Sequence, residues 1–189
     1  MITGILLAAG HGRRFGGAKL LAPLPGAAPD VTVGSRACAT LASAVPRVVA
    51  VLRPGDAALA AVFKLFGAEP LEFPRFESGM GASLAFGVAA TPASDGWLVA
   101  LADMPWVRPS TASLVAKALA AGSTLVVPVY RGRRGHPVGF ARAHLAALLA
   151  LDGDHGARPI VDAAGAAVTQ LDVDDPGILR DVDVAADLG

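Results

Sequence analysis

Ile2-Thr-Gly-Ile-Leu-Leu-Ala-Ala-Gly-His-Gly-Arg-Arg-Phe-Gly-Gly-Ala-Lys19 is the stretch whose reading decides the fold. An apolar run with β-branched members ends abruptly in small residues, and a glycine-rich basic loop follows. The run has the continuous hydrophobicity of a strand buried on both faces of a parallel sheet. The loop after it lets the backbone approach an anion closely, and Arg13, Arg14 and Lys19 supply the positive charge a polyphosphate requires. Two standard nucleotide loops fail on spacing. A P-loop closes on Gly-Lys-Ser/Thr, whereas Ala18 separates Gly17 from Lys19 and Leu20 follows. A dinucleotide loop needs Gly-x-Gly-x-x-Gly and an acidic residue ending the second strand. Here the glycines are Gly10, Gly12 and Gly16, and the expected second strand ends at Arg53.

Outward from this loop, short apolar runs alternate with Ala/Leu-rich helical stretches, the pattern of an α/β layer fold with a mostly parallel sheet. Strands are expected at 3–8, 47–52, 69–73, 97–102, 124–129 and near 168–172. Helices are expected at 35–44, 56–66, 82–90, 110–121, 142–149 and 157–163. The 189 residues fit a single domain, 1–189, with a core that needs no staples. Gly26–Gly34 reads as a Pro/Gly/Ala-rich connection flanking the site entrance. Cys38 is the one cysteine, so an internal disulfide and a cysteine-rich metal site are excluded, and a reducing, cytoplasmic location is expected. Although 53% of residues are hydrophobic, no run approaches the roughly 18 residues of a membrane span. The start reads as a strand and not a signal peptide. Formal net charge is zero without charge runs, which argues against coating nucleic acid and for a small anionic ligand bound locally. Lysine is scarce among the 16 basic residues, and of Lys19, Lys64 and Lys117 only Lys19 falls in a loop.

In open parallel sheets ligands bind outside the carboxyl ends of the strands, so the loops after strands deserve inspection. Trp97-Leu-Val-Ala-Leu-Ala-Asp103-Met-Pro-Trp is a buried strand ending in one carboxylate, placed to hold a divalent metal or to cap a turn. Magnesium in phosphate chemistry takes one or two carboxylates plus the substrate's phosphates. Alternation puts Asp181 and Asp183 on one side of an extended segment, and Asp183 also reads as the N-cap of a short terminal helix. Glu77-Ser-Gly79-Met-Gly-Ala-Ser83-Leu is a second glycine loop entering a helix, fit either to read a base with backbone groups or to pack tightly. Arg131-Gly-Arg-Arg134-Gly-His136-Pro places basic residues on a turn, as an anionic-acceptor clamp or a solvated hairpin tip. His11, His144 and His155 show no metal-ligand spacing. Without a Gly-x-Ser-x-Gly elbow, and with Cys38 in a helical pattern, nucleophilic hydrolysis has no support.

These pieces together resemble the MobA-like nucleotidyltransferase family, and within it the molybdenum cofactor cytidylyltransferase branch. Leu7-Ala-Ala-Gly-His-Gly-Arg-Arg-Phe-Gly-Gly-Ala-Lys19 is similar to the family's Leu-Ala-Ala-Gly-x-x-x-Arg-Phe/Met-Gly-x-x-Lys, and Leu101-Ala-Asp103-Met-Pro to its Gly-Asp-Met/Gln-Pro. Glu77 to Leu84, Arg134-Gly-His-Pro-Val and Gly153-Asp-His-Gly-Ala-Arg158 resemble further branch motifs. The tail Asp181-Val-Asp183-Val-Ala-Ala-Asp187-Leu resembles Asp-Ile-Asp-Thr-Pro-Glu-Asp-Leu, with Val184-Ala-Ala replacing Thr-Pro-Glu. Pro25–Gly34 departs from the family's short Gly-x-Pro-Leu connection.

The resemblance implies a Rossmann-like three-layer α/β/α sandwich of nucleotide-diphospho-sugar transferase type. It implies nucleotide binding by Ala8, Ala9, Gly10, Gly12, Arg13, Lys19, Gly79, Met80 and Ser83, with Arg13, Lys19 and Asp103 catalytic. Mg²⁺ would be the cofactor, on Asp103 and Asp183, and the acceptor side would include Arg134 and His136. The implied reaction moves CMP from CTP to a phosphorylated acceptor, a molybdopterin cofactor, releasing pyrophosphate. A molybdenum enzyme would receive the product, and no nucleic acid or membrane takes part. Guanylyl, sugar-phosphate or phospholactate transfer on the same fold, and a non-catalytic cofactor-delivery protein, are the alternatives.

Overall fold

The computed structural model describes residues 1–10 and 15–188, so Gly12 and Arg13 lie outside the described residues. The opening apolar run forms β1 (Ile2–Leu7). It pairs in parallel with β2 (Arg47–Leu52) and with β4 (Gly96–Leu101), and β2 pairs in parallel with β3 (Ala68–Glu72). Consecutive side chains of these strands go to opposite faces. Leu6, Val48, Ala50 and Leu52 join one core and Ile5, Val49 and Val51 the other, which is why the runs are apolar throughout.

Helices α1 (Val33–Ala42), α2 (Ala57–Leu65) and α4 (Pro109–Ala120) cover the first face through Cys38, Leu41, Phe63, Val115 and Leu119. Helices α3 (Met80–Ala89), α5 (Leu145–Leu149) and α6 (Arg158–Ala164) cover the second through Leu84, Val88, Leu148 and Val161. Three layers result, as expected. Among the described residues no helix is long and apolar enough to cross a membrane.

Helix starts follow local chemistry. Thr32 and Ser35 form a reciprocal capping box, so α1 begins two residues before the expected Ser35. Asp56, the first residue of the helix expected at 56–66, caps α2 by accepting from the Leu59 amide. The Pro25–Gly34 connection closes on itself: Leu24 N–H donates to the Val31 carbonyl, and Pro23 bridges Thr32.

Beyond β4 the sheet changes character. Strand β5 (Leu125–Tyr130) turns through β6 (Arg133–Arg134) to β7 (Val138–Ala141), and β7 inserts antiparallel between β4 and β5. The final strand, β8 (Thr169–Asp172), returns parallel to β5. Sequence reading missed β7 because its four residues, Val-Gly-Phe-Ala, are too few to show a period and contain a glycine. The glycine serves packing: a Cβ on Gly139 would come within 2.7 Å of Leu119.

Candidate active site

Strands β1 and β4 end in register, Leu7 opposite Leu101. The Ala102 amide donates to the Leu7 carbonyl and the Ala8 amide to the Val51 carbonyl, so 8–10 and 102–103 leave the sheet side by side. Over this edge lies a cavity of about 420 Å³. Ala8, Ala9, Gly10 and Lys19 line it from the first loop, Gly79, Met80 and Ser83 from the second, and Asp103 from β4. Seven of the nine residues expected to bind the nucleotide thus share one hollow with Asp103 at the carboxyl ends of the strands.

Lys19 opens a one-turn 3-10 segment (Lys19–Leu21) whose Leu20 packs under Gly34 of α1. That seat directs its ammonium into the hollow, where Nζ donates to Asp103 Oδ2 at 2.8 Å. The same nitrogen lies 4.0 Å from Asp183 Oδ1. The Lys19 side chain is only 12% exposed, so the pair is far better shielded than a surface salt bridge.

Asp183 arrives from the other end of the chain by a chain of anchors. Asp175 is buried, and its carboxylate accepts from the Arg108 amide (2.9 Å), the Thr111 hydroxyl (2.7 Å) and the Gly177 amide (3.0 Å). This latches the C-terminal segment to the start of α4. Gly177 lies flat on the Trp106 carbonyl, which a Cβ would strike. Farther on, Arg180 stacks its guanidinium over the Trp106 ring at 4.1 Å. The Val182 amide donates to the Asp103 carbonyl at 2.8 Å while its side chain is fully buried beside Leu24 and Val33. Asp183 follows immediately, so the backbone of one carboxylate residue holds the segment that delivers the other. Asp187, not Asp183, closes the tail: its carboxylate accepts from the Asp183 and Val184 amides. Those two bonds hold its pKa below the ordinary aspartate range.

Hard oxygen donors from Asp103 and Asp183 facing one cation suit magnesium or manganese. Among the described residues no three His, Cys, Asp or Glu side chains gather into an ion-holding group. Such a pair fits a cation that completes its shell with water and substrate phosphates, as magnesium does.

The expected acceptor residues lie apart from the cavity lining. Arg134 is exposed on β6, and His136 is part-buried beside Met104, Thr40 and Leu101 around a small apolar gap. Burial lowers the His136 pKa, and the Asp103 charge opposes that shift. The cavity also recruits Arg53, Asp56, Glu77 and Asp154, none of them singled out from the sequence as site residues. Arg53 and Asp56 pair at 3.3 Å just past β2. The rule that ligands gather at strand ends could have found Arg53; Asp154 required the tertiary packing.

Compared with known proteins, residues 4–168 match the MobA-like NTP transferase domain. The chain is 31% identical to the purine catabolism protein PucB of Bacillus subtilis, covering 96% of this chain and 91% of that protein. It is 34% identical to nicotine blue oxidoreductase of Paenarthrobacter nicotinovorans, covering 96% and 92%. The crystal structure of Rv0371c from Mycobacterium tuberculosis superposes with a TM-score of 0.83 at 30% identity, over 98% of this chain and 94% of that one. Rv0371c has also been solved in complex with manganese. The chain belongs to the MobA-like NTP transferase family and carries its nucleotidyltransferase fold.

Proposed function

We propose that this member of the MobA-like family is a Mg²⁺-dependent cytidylyltransferase acting on a molybdopterin-type phosphate in the cytoplasm, through the single domain 1–189. The observation that carries the reading is one ammonium, Lys19, gripped by two carboxylates at the rim of a nucleotide-sized cavity. CTP and the pterin acceptor come from the family resemblance of the loop motifs.

An acceptor phosphate oxygen attacks the α-phosphorus of the triphosphate, the bond from that phosphorus to the β-bridging oxygen breaks, and pyrophosphate departs. The acceptor is already anionic near neutral pH, so no side chain needs to remove a proton. The work left to the protein is positioning and charge neutralisation. The free amides of Ala9 and Gly10, with Gly12 and Arg13, cradle phosphate oxygens. Lys19 exchanges its carboxylate partners for the β/γ-phosphates and stays with the departing pyrophosphate. Mg²⁺ held by Asp103 and Asp183 would offset the charge gathering on the α-phosphate oxygens. Gly79, Met80 and Ser83 face the base, and Arg134 and His136 stand on the acceptor side.

Thermal unfolding with CTP, GTP, ATP and UTP, each with and without Mg²⁺, tests the nucleotide. A ligand at 100 times its Kd adds about 2.7 kcal/mol. A Mg²⁺-dependent shift with CTP supports the cytidylyl reading, and a shift with GTP alone replaces it by guanylyl transfer. Pyrophosphate release that requires the pterin acceptor separates transfer from delivery without turnover.

A further inference from the structure

The loop Gly153-Asp154-His155-Gly156, between α5 and α6, is pinned against the glycine loop that opens α3. The Gly81 amide donates to the Gly153 carbonyl at 2.7 Å. Gly79 sits at φ +97°, and a Cβ there would strike Gly153 and come within 2.5 Å of Asp154 Oδ1. A Cβ on Gly81 would meet the Asp152 carbonyl at 2.6 Å, and one on Gly156 would meet Met80 Sδ at 3.0 Å. Bare backbone on both sides thus lets two loops, more than seventy residues apart in sequence, form one continuous cavity wall.

Met80 and Asp154 are among the side chains that line the cavity from this wall, beside Glu77 and Ser83. Met80 is 41% exposed, an uncommon state for a large apolar residue, and offers a polarisable surface to a flat ring. Asp154 lines the cavity beside it, and among the described residues no hydrogen bond or ion pair engages its carboxylate. Asp56, on the same cavity, is by contrast committed to Arg53 and to the Leu59 amide. An ionised carboxylate only accepts hydrogen bonds. Next to an apolar platform it selects a ring that presents an N–H donor and rejects one presenting a carbonyl at the same edge, where two acceptors would face each other.

We infer that Asp154 is a specificity-determining residue that accepts a hydrogen bond from an exocyclic amino group of the nucleotide base, the base lying against Met80. Cytosine and guanine both carry such a group, and uracil and hypoxanthine lack it. This inference rests on the nucleotide-site reading above.

The test is calorimetric binding of CTP, UTP, GTP and ITP with Mg²⁺ to the wild-type chain and to Asp154→Ala and Asp154→Asn. Unfolding of each variant without ligand checks the fold. The expected result is a wild-type preference of about tenfold or more for CTP over UTP, or for GTP over ITP, the size of a hydrogen bond to a charged acceptor. Whichever pair shows it identifies the base. Asp154→Ala should bring that ratio close to one, mainly by weakening the amino-bearing nucleotide, and Asp154→Asn should lower it partly. An unchanged ratio in Asp154→Ala overturns the inference. So does an equal loss across all four nucleotides, which would mark Asp154 as a prop for the Gly79 loop. A wild-type chain that binds none of the four, nor ATP, overturns the nucleotide site itself, a result distinct from either.

Discussion

Asp103 and Asp183 reach the same ammonium by opposite routes. Asp103 is set by the sheet: it stands two residues past the end of β4, whose register with β1 leaves no freedom over where it emerges. Asp183 lies on a segment without regular structure, held by a buried aspartate latch, a stacked arginine and one hydrogen bond from the Val182 amide to Asp103's own carbonyl. A strand end places a residue through pairing spread over many bonds, so single substitutions barely move it. A tail hung on a few polar anchors concentrates its placement, and each anchor becomes a point of failure.

That contrast can be broken first at the carboxylates. Asp103→Asn is expected to cut turnover by about a thousandfold or more, since several kcal/mol of charge stabilisation are at stake. Its unfolding midpoint in urea should stay near wild type. Asp183→Asn should cost less, about ten- to a hundredfold, because Asp103 remains in place. Equal losses would mean that the two carboxylates are not ranked as their supports are. Pyrophosphate release rates decide this.

Asp175→Ala sharpens it, because the residue is remote from the cavity. The change strands two amides and a hydroxyl in buried surroundings and should lower stability by about 3 kcal/mol. Turnover in the folded variant should drop too, through a loosened Asp183. Wild-type turnover at reduced stability would show that the latch and the Asp183 segment are uncoupled.

A smaller effect is expected from Asp187→Asn, which weakens the bonds to the Asp183 and Val184 amides without opening the core. The wild-type carboxylate has a lowered pKa, so its contribution is present above the usual aspartate range and fades as pH falls through that lowered value. Turnover of Asp187→Asn should be a few-fold lower than wild type at pH 7, and that gap should close only as pH falls through the lowered value of the wild-type carboxylate.

The least change is expected at His136. Burial lowers its pKa in the fold, whereas the unfolded chain takes up a proton near pH 6.5. Stability is therefore fully present above that pH and is lost as pH falls toward the depressed folded value, by at most about 1.4 kcal/mol per pH unit. His136→Gln should flatten this slope between pH 7 and 5.5 in urea titrations.

Much of the first route was written locally. The apolar run of β1, the strand ending at Asp103, the Asp56 cap and the glycine loop before α3 are all signals carried by adjacent residues. They made the parallel half of the sheet and its loops readable, with boundaries shifted by caps such as Thr32. Strand β7 was unreadable because four residues, one a glycine, carry no period; only the gap between β4 and β5 makes them a strand.

The sequence by itself determined the α/β class, the glycine-rich basic composition of the first loop and the presence of Lys19 and Asp103 after two strands that become neighbours in the sheet. Tertiary structure alone decided which of Asp181, Asp183 and Asp187 turns toward Lys19, because that choice depends on burying Val182 and on a hydrogen bond from its amide to the carbonyl of Asp103, far away in sequence. It alone also brought Asp154 onto the Gly79 loop. Periodicity and capping act within a few residues, and contacts between distant loops are set by where the packed layers leave room for bare backbone to meet.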